Sequence, residues 1–381
     1  MALVLGMVCF LAMAWSWFGY PLALWLAARG RSSVLSSAMP QSTGEVDIAV
    51  VVVAYNEATC IRNKLENLLS IAWPSAHREV IVVSDCSTDD TDQIVREFQG
   101  QGVQLVVAPK RLGKDLCQQL GVERARASIL VFTDATTDLT DSSLVAIAHG
   151  FSDETVGCVS GVDVPETHKD QVEGEGLYVR YEMLVRRAES ALGVMIGASG
   201  CFFAVRRSIC ENWPGNLSSD LALPLTARLQ GFRVVTEGEA RCSYRVVSNP
   251  VAEFERKVRT IIHGMRVIWV FFPRFLRAKA WFLVFQVISH KVLRWSLPLL
   301  TLGILAACAH LAADSAFWRM MLSMQLLAWS GALLAVGIPS LSKLALFRAL
   351  LYLAVVHASV LVAGIRLARG AHQVTWEPTR R

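Results

Sequence analysis

The chain has 381 residues, 53% of them hydrophobic, and a mean hydropathy of +0.41. This excess of apolar residues sits at the two ends and excludes an ordinary soluble enzyme. The net charge of +5 is modest and its basic residues border apolar runs, which disfavours a nucleic-acid binder. Nine cysteines without Cys-x-x-Cys spacing suggest neither a zinc site nor a disulfide framework.

Ala2 to Ala28 carries no charge and is long enough to cross a bilayer. Arg29 and Arg31 follow, which places the next segment on the cytoplasmic side. Residues 1–28 therefore read as a transmembrane helix and 29–45 as a linker.

Residues 46–260 read as one α/β domain. Asp47 to Ala54 is a Val-rich run of the kind buried on both faces of a parallel sheet. A helix over Thr59–Ile71 follows, with Leu65, Leu68 and Leu69 on one face. The next strands are Glu79–Ser84, Val103–Val107 and Ile129–Thr133, separated by helices that end near Gly100 and Arg126. Polar residues close successive strands: Asn56 and Glu57, Asp85, and Asp134. A parallel sheet brings those ends to one edge, beyond which ligands sit. A carboxylate there can hold a hard cation and, through it, phosphate; an isolated Asp also serves as a helix N-cap. No G-x-G-x-x-G follows the first strand and no P-loop occurs, which argues against a dinucleotide fold and a P-loop NTPase.

Ile262 to Arg277 mixes Trp269, Phe271, Phe272 and Phe275 with arginines and reads as an amphipathic helix at the membrane interface. We assign 261–294 to such interface helices. His290, Lys291 and Arg294 read as lipid-headgroup contacts. The segment 295–367 holds about three spans (Trp295–Ala313, Met320–Ser342, Ala349–Ile365), and 368–381 is the tail. Three spans after a cytoplasmic domain put the tail outside, yet Arg366, Arg369, Arg380 and Arg381 argue for the inside. Either one run is interfacial or re-entrant, or a further span hides within 262–290.

Several motifs now stand in order. They are Val52-Val-Ala-Tyr-Asn-Glu57, Ser84-Asp-Cys-Ser-Thr-Asp89, Arg111-Leu-Gly-Lys114, Asp134-Ala-Thr136, Gly197-Ala-Ser-Gly-Cys-Phe-Phe-Ala-Val-Arg206 and Ser218-Ser-Asp-Leu-Ala-Leu-Pro-Leu225. Together they resemble the inverting family 2 glycosyltransferases of the GT-A fold. Within that family the chain is similar to the membrane-embedded cellulose, hyaluronan and poly-N-acetylglucosamine synthases. The resemblance implies an α/β GT-A domain with a mostly parallel sheet, plus transmembrane and interfacial helices. It implies transfer from a UDP-sugar to a glycan or lipid-linked acceptor, with Mg²⁺ or Mn²⁺, in the cell membrane with the catalytic domain in the cytoplasm. Accessory export subunits are further partners it allows.

By the same resemblance Asp220 is the catalytic base, a place where a helix N-cap is the alternative. Tyr55, Glu57, Asp85, Lys114, Asp134, Arg256, Lys257 and Arg259 serve the donor, with Asp85 on the uracil and the metal on Asp134. Tyr178, Tyr181, Glu182, Ser199 and Gly200 lie on the acceptor side. Three positions depart from the pattern. Thr136 replaces the second acid of D-x-D, Ser219 replaces the acid before Asp220, and Thr260 replaces the Trp of Q-x-x-R-W. The last weakens the expectation of long-chain synthesis more than that of sugar transfer. The alternatives are a single transfer to a polyprenyl phosphate or glycolipid, and a non-catalytic nucleotide-binding subunit of a synthase complex.

Overall fold

A computed structural model describes residues 1–29, 46–166, 173–211, 213–245, 250–338 and 340–370; the side chains of 166, 173–180, 245, 250 and 342 lie outside that description. The linker from residue 30 and the tail from 371 are also outside it.

Strand β1 (Ile48–Ala54) has no exposed side chain, because helices cover both faces of the sheet. It pairs in parallel with β2 (Glu79–Ser84) on one side and β4 (Ile129–Asp134) on the other, and β3 (Val103–Val107) adds in parallel to β2. The helix Lys114–Arg124 lies so close to the sheet that a methyl group on Gly121 would come within 2.5 Å of Val51. The strands β5 (Thr137–Leu139), β6 (Val156–Glu166), β7 (Phe202–Arg206) and β8 (Arg233–Arg245) complete an eight-stranded sheet of order β3-β2-β1-β4-β7-β6-β8-β5. Here β7 runs antiparallel to both β4 and β6, and β5 antiparallel to β8, while β6 and β8 are parallel. The sheet is thus parallel in its first half and mixed in its second.

The register aligns Asp134 with Val53 and Ser84 with Ala54. The chain reverses its direction of strand addition between β1 and β4, and the crevice at their carboxyl ends is where an open α/β sheet takes its ligand. Two non-glycine residues at this edge have left-handed backbone, Asn56 (φ 53) and Cys86 (φ 59). Such strain tends to gather at functional sites.

Among the described residues, three helices are long and apolar enough to cross a membrane: Ala2–Ala28, Ala316–Gly337 and Ala345–Ala368. A fourth unit is broken, with Trp281–Trp295 and Leu297–Leu311 meeting at 66°. The first C-terminal run is therefore half of a bent pair. At 1.5 Å per residue, the 15 residues of Leu297–Leu311 fall short of a bilayer's thickness. That half packs on the N-terminal helix through small residues, since a methyl group on Gly6 would lie 2.8 Å from Ala307 Cβ. The amphipathic helix begins earlier than residue 261 and runs unbroken over Pro250–Arg277. It buries Val258, Ile262, Val267, Phe271 and Phe275 and exposes Trp269.

Candidate active site

Asp134 ends β4, with its side chain about a quarter exposed. Its Oδ1 lies 2.6 Å from Lys114 Nζ. Burial acts against the Lys114 charge, but the Asp134 carboxylate overrides it and holds the lysine above its ordinary pKa. The same ammonium donates to the Gly200 carbonyl at 3.0 Å. A methyl group on Gly200 would lie 3.3 Å from Asp220 Oδ2. Lys114, Asp134, Gly200 and Asp220 are therefore brought together from four separate segments.

Asp220 is in the first turn of the helix Ser219–Leu229, where helix polarity favours a carboxylate. It is not the N-cap, a position that Ser218 takes. Ser218 Oγ donates to Asp220 Oδ1 at 2.5 Å, and the Asp220 carbonyl accepts from Ala198 N at 2.7 Å. The helix start is tied down by Asp115, which accepts from Ser219 N at 3.1 Å. Burial pushes the Asp115 carboxyl up, His263 opposes the rise and the nearby Asp220 adds to it. Asp115, Asn216, Ser218, His263 and Arg266 line a cleft against the Pro250–Arg277 helix.

Other expected site residues have different surroundings. Asp85 is fully buried, and its carboxylate accepts from Leu112 N (2.6 Å), Gly113 N (3.0 Å) and Arg111 Nε (3.2 Å). These bonds tie it to the loop before Lys114. Arg111 lies 3.2 Å over the Tyr55 ring, a stacked pair at the carboxyl edge of the sheet. Glu57 is buried, with Cys60 Sγ 3.0 Å from its carboxylate and its own N–H on Thr91 Oγ1. Ser199 is also buried; its hydroxyl donates to Asp163 and accepts from Cys201 N and Phe202 N. Arg256 and Lys257 both bond to Glu253, at 2.7 and 2.9 Å, and Arg259 is one turn further along that helix.

Tyr181 and Glu182 do not open onto an acceptor path. Tyr181 donates to the Trp17 carbonyl at 2.9 Å, and Glu182 bonds His290 Nε2 (3.0 Å) and Arg294 (2.5 Å). Tyr178 lies on the same helix, Glu173–Ala191, but its side chain is outside the described residues. His290 and Arg294 are buried, so they are core partners and not headgroup contacts.

Lys64 is a site residue that no motif marks. It falls on the apolar stripe of its helix, with Ile61, Leu65 and Leu68, and a lysine in that position is the one signal the sequence carries for it. Its ammonium donates to Thr133 Oγ1 (3.0 Å) and the Thr137 carbonyl (2.7 Å), fastening both ends of the turn that carries Asp134. Burial pushes its pKa down to about 8, against the pull of Asp138 and Asp134. The folded chain therefore holds fewer protons than the unfolded one between about 8 and the ordinary 10.5, and stability rises with pH across that window. We expect wild type to gain up to about 3 kcal/mol relative to Lys64→Met over this range. Unfolding midpoints of both proteins against pH check this; a constant gap between them contradicts it.

For a divalent cation, the described residues supply Asp134 and no convergent group of three His, Cys, Asp or Glu. Thr136 and the exposed Asp138 on β5 do not complete a cage. A single carboxylate fits a hard cation that keeps water and draws its other oxygens from phosphates.

Residues 49–213 match the sequence model of glycosyl transferase family 2. Among proteins it resembles is the poly-beta-1,6-N-acetyl-D-glucosamine synthase of Staphylococcus epidermidis, 23% identical over 58% of this chain and 55% of that one. Another is the beta-monoglucosyldiacylglycerol synthase of a Nostoc strain, 25% identical over 48% of this chain and 41% of that one. The chain spans about half the length of such curated relatives. A mannosyltransferase from Pyrobaculum calidifontis, solved with GDP-Man and Mn²⁺, shares the fold over 95% of this chain and 98% of its own, with a TM-score of 0.67 at 23% identity. The fold is GT-A.

Proposed function

We propose that the protein transfers a sugar, with inversion, from a nucleoside-diphosphate sugar to a hydroxyl of a glycan or lipid-linked acceptor, with UDP as the carrier. The observation that carries this reading is the convergence of Asp220 with Lys114 and Asp134 across Gly200. The acceptor oxygen attacks the anomeric carbon on the face opposite the diphosphate. The bond from that carbon to the diphosphate oxygen breaks, and the nucleotide leaves with the electron pair. Asp220 takes the acceptor's proton as the new bond forms. Lys114 offers charge to the departing diphosphate. Mg²⁺ or Mn²⁺, held on Asp134, would supply further counter-charge.

The catalytic domain lies on the cytoplasmic side in this reading. If the bent pair Trp281–Leu311 enters and leaves on one face, the N-terminal helix and the two later spans return the tail to the inside. Arg366 and Arg369 then obey the positive-inside rule. The shortness of Leu297–Leu311 supports this arrangement.

The test is nucleotide release by the full chain in lipid with Mn²⁺, across UDP- and GDP-sugars, with the product sized. One donor is expected to stand out among the UDP-sugars. A GDP-sugar preference overturns the carrier, and donor binding without transfer to any glycan or lipid acceptor favours the non-catalytic subunit.

A further inference from the structure

Lys114 occupies the place of a cation. Its Nζ is 2.6 Å from Asp134 Oδ1 and 3.0 Å from the Gly200 carbonyl, an ammonium seated between two oxygens at the centre of the site. The side chain is one-third exposed and stands on a flexible four-carbon stem, so it can leave that seat. Among the described residues, Asp134 is the carboxylate at the strand edge best suited to a divalent cation, since Thr136 lacks an acid and Asp85 already accepts from Leu112 N and Gly113 N. A divalent cation approaching the donor-free protein would meet a single carboxylate whose charge is already neutralised. That is far short of the oxygen set such cations require.

A nucleoside diphosphate changes both sides of this competition. Its phosphates bring the missing oxygens, and they give Lys114 another anion to pair with. We propose that Lys114 is an exchangeable counter-ion: it holds Asp134 in the donor-free protein and moves to the donor's diphosphate when the metal takes Asp134. Metal and nucleotide then bind well only together. Lys114 thereby acts as a specificity-determining residue that keeps a bare divalent ion out of the site. The inference rests on the donor-site reading proposed above. Linkage makes the effect reciprocal: whatever factor UDP adds to Mn²⁺ affinity, Mn²⁺ adds to UDP affinity.

The experiment follows Mn²⁺ binding by loss of the free-ion electron paramagnetic resonance signal, using the full chain in lipid nanodiscs, with and without UDP. Wild type is expected to bind Mn²⁺ alone weakly and to gain about tenfold or more with UDP. Lys114→Gln is expected to bind Mn²⁺ alone about tenfold more tightly than wild type, with the UDP-dependent gain reduced by about the same factor. Lys114→Arg, which keeps the charge, should resemble wild type, and Asp134→Asn should bind Mn²⁺ alone no better than wild type. Lys114→Gln that binds Mn²⁺ alone as weakly as wild type overturns the exchange. So does wild type that binds Mn²⁺ equally well with and without UDP. A wild type that binds no nucleotide, with or without Mn²⁺, sinks the donor-site reading itself, and is told apart by the nucleotide titration.

Discussion

Asp220→Asn is expected to reduce sugar transfer by about 10²–10⁴-fold while leaving nucleotide and Mn²⁺ binding within about twofold of wild type. A positioned general base contributes on the order of 10²–10⁴-fold, and an amide cannot take the acceptor's proton. The substitution is nearly isosteric. Asn keeps an oxygen to accept from Ser218 Oγ, and the contact of the 220 carbonyl with Ala198 N involves only backbone. The helix Ser219–Leu229 should therefore stay in place, and loss of activity will not report unfolding. Turnover and donor affinity must be measured on the same preparation to separate the two effects. Residual turnover above about a tenth of wild type would remove Asp220 from the role of base. Asp115, whose carboxyl is close enough for Asp220 to push its pKa up alongside the larger effect of burial, is then the next group to test. Asp115→Asn should otherwise have the smaller effect, because its described bond holds Ser219 N and acts through the placement of Asp220.

Much of the parallel half of the sheet is legible in the amino-acid sequence, for a physical reason. The strands β1, β2 and β4 are buried on both faces and their sequences are continuous apolar runs, so their ends, and the polar residues on those ends, can be read directly. The second half of the sheet is different. Strand β7 inserts antiparallel between β4 and β6, a long-range pairing that leaves no local period to read. Motif likeness places Asp85 and Ser199 at the site by position. It cannot say that their side chains are spent on the loops that frame it. Nor can a linear pattern foresee the partner of Glu182, since His290 lies 108 positions away. The basic residues 290–294 resemble headgroup contacts because charge beside an apolar run usually is one; here carboxylates from another helix meet them first.

That meeting point gives the second large effect, Glu182→Ala, which should cost about 3–5 kcal/mol of stability. Glu182 faces His290 Nε2 at 3.0 Å, Arg294 at 2.5 Å, Lys291 at 3.7 Å and Arg186 at 3.9 Å. Burial by itself would raise its pKa, but His290 and the cations around it hold it well below the carboxylate range. On the far side of the ring, His290 Nδ1 meets Glu189 at 2.8 Å, and Glu189 also accepts from Tyr20 of the N-terminal helix at 2.6 Å. Tyr181 reaches the same helix through Trp17, with the two rings stacked at 5.5 Å. Removing Glu182 takes a carboxylate away from the mostly buried His290 and Arg294, and breaking a buried pair by removing one partner costs more than the pair contributes. Glu182→Leu combined with Arg294→Met should therefore be more stable than Glu182→Ala alone, because both charges leave together. Unfolding midpoints of the three proteins in one detergent check the order; a Glu182→Ala midpoint equal to wild type contradicts it. The same network binds the N-terminal helix into the catalytic unit. Deleting residues 1–28 should lower the midpoint of what remains, and not merely detach it from the membrane, because Tyr20 and Trp17 leave with the helix.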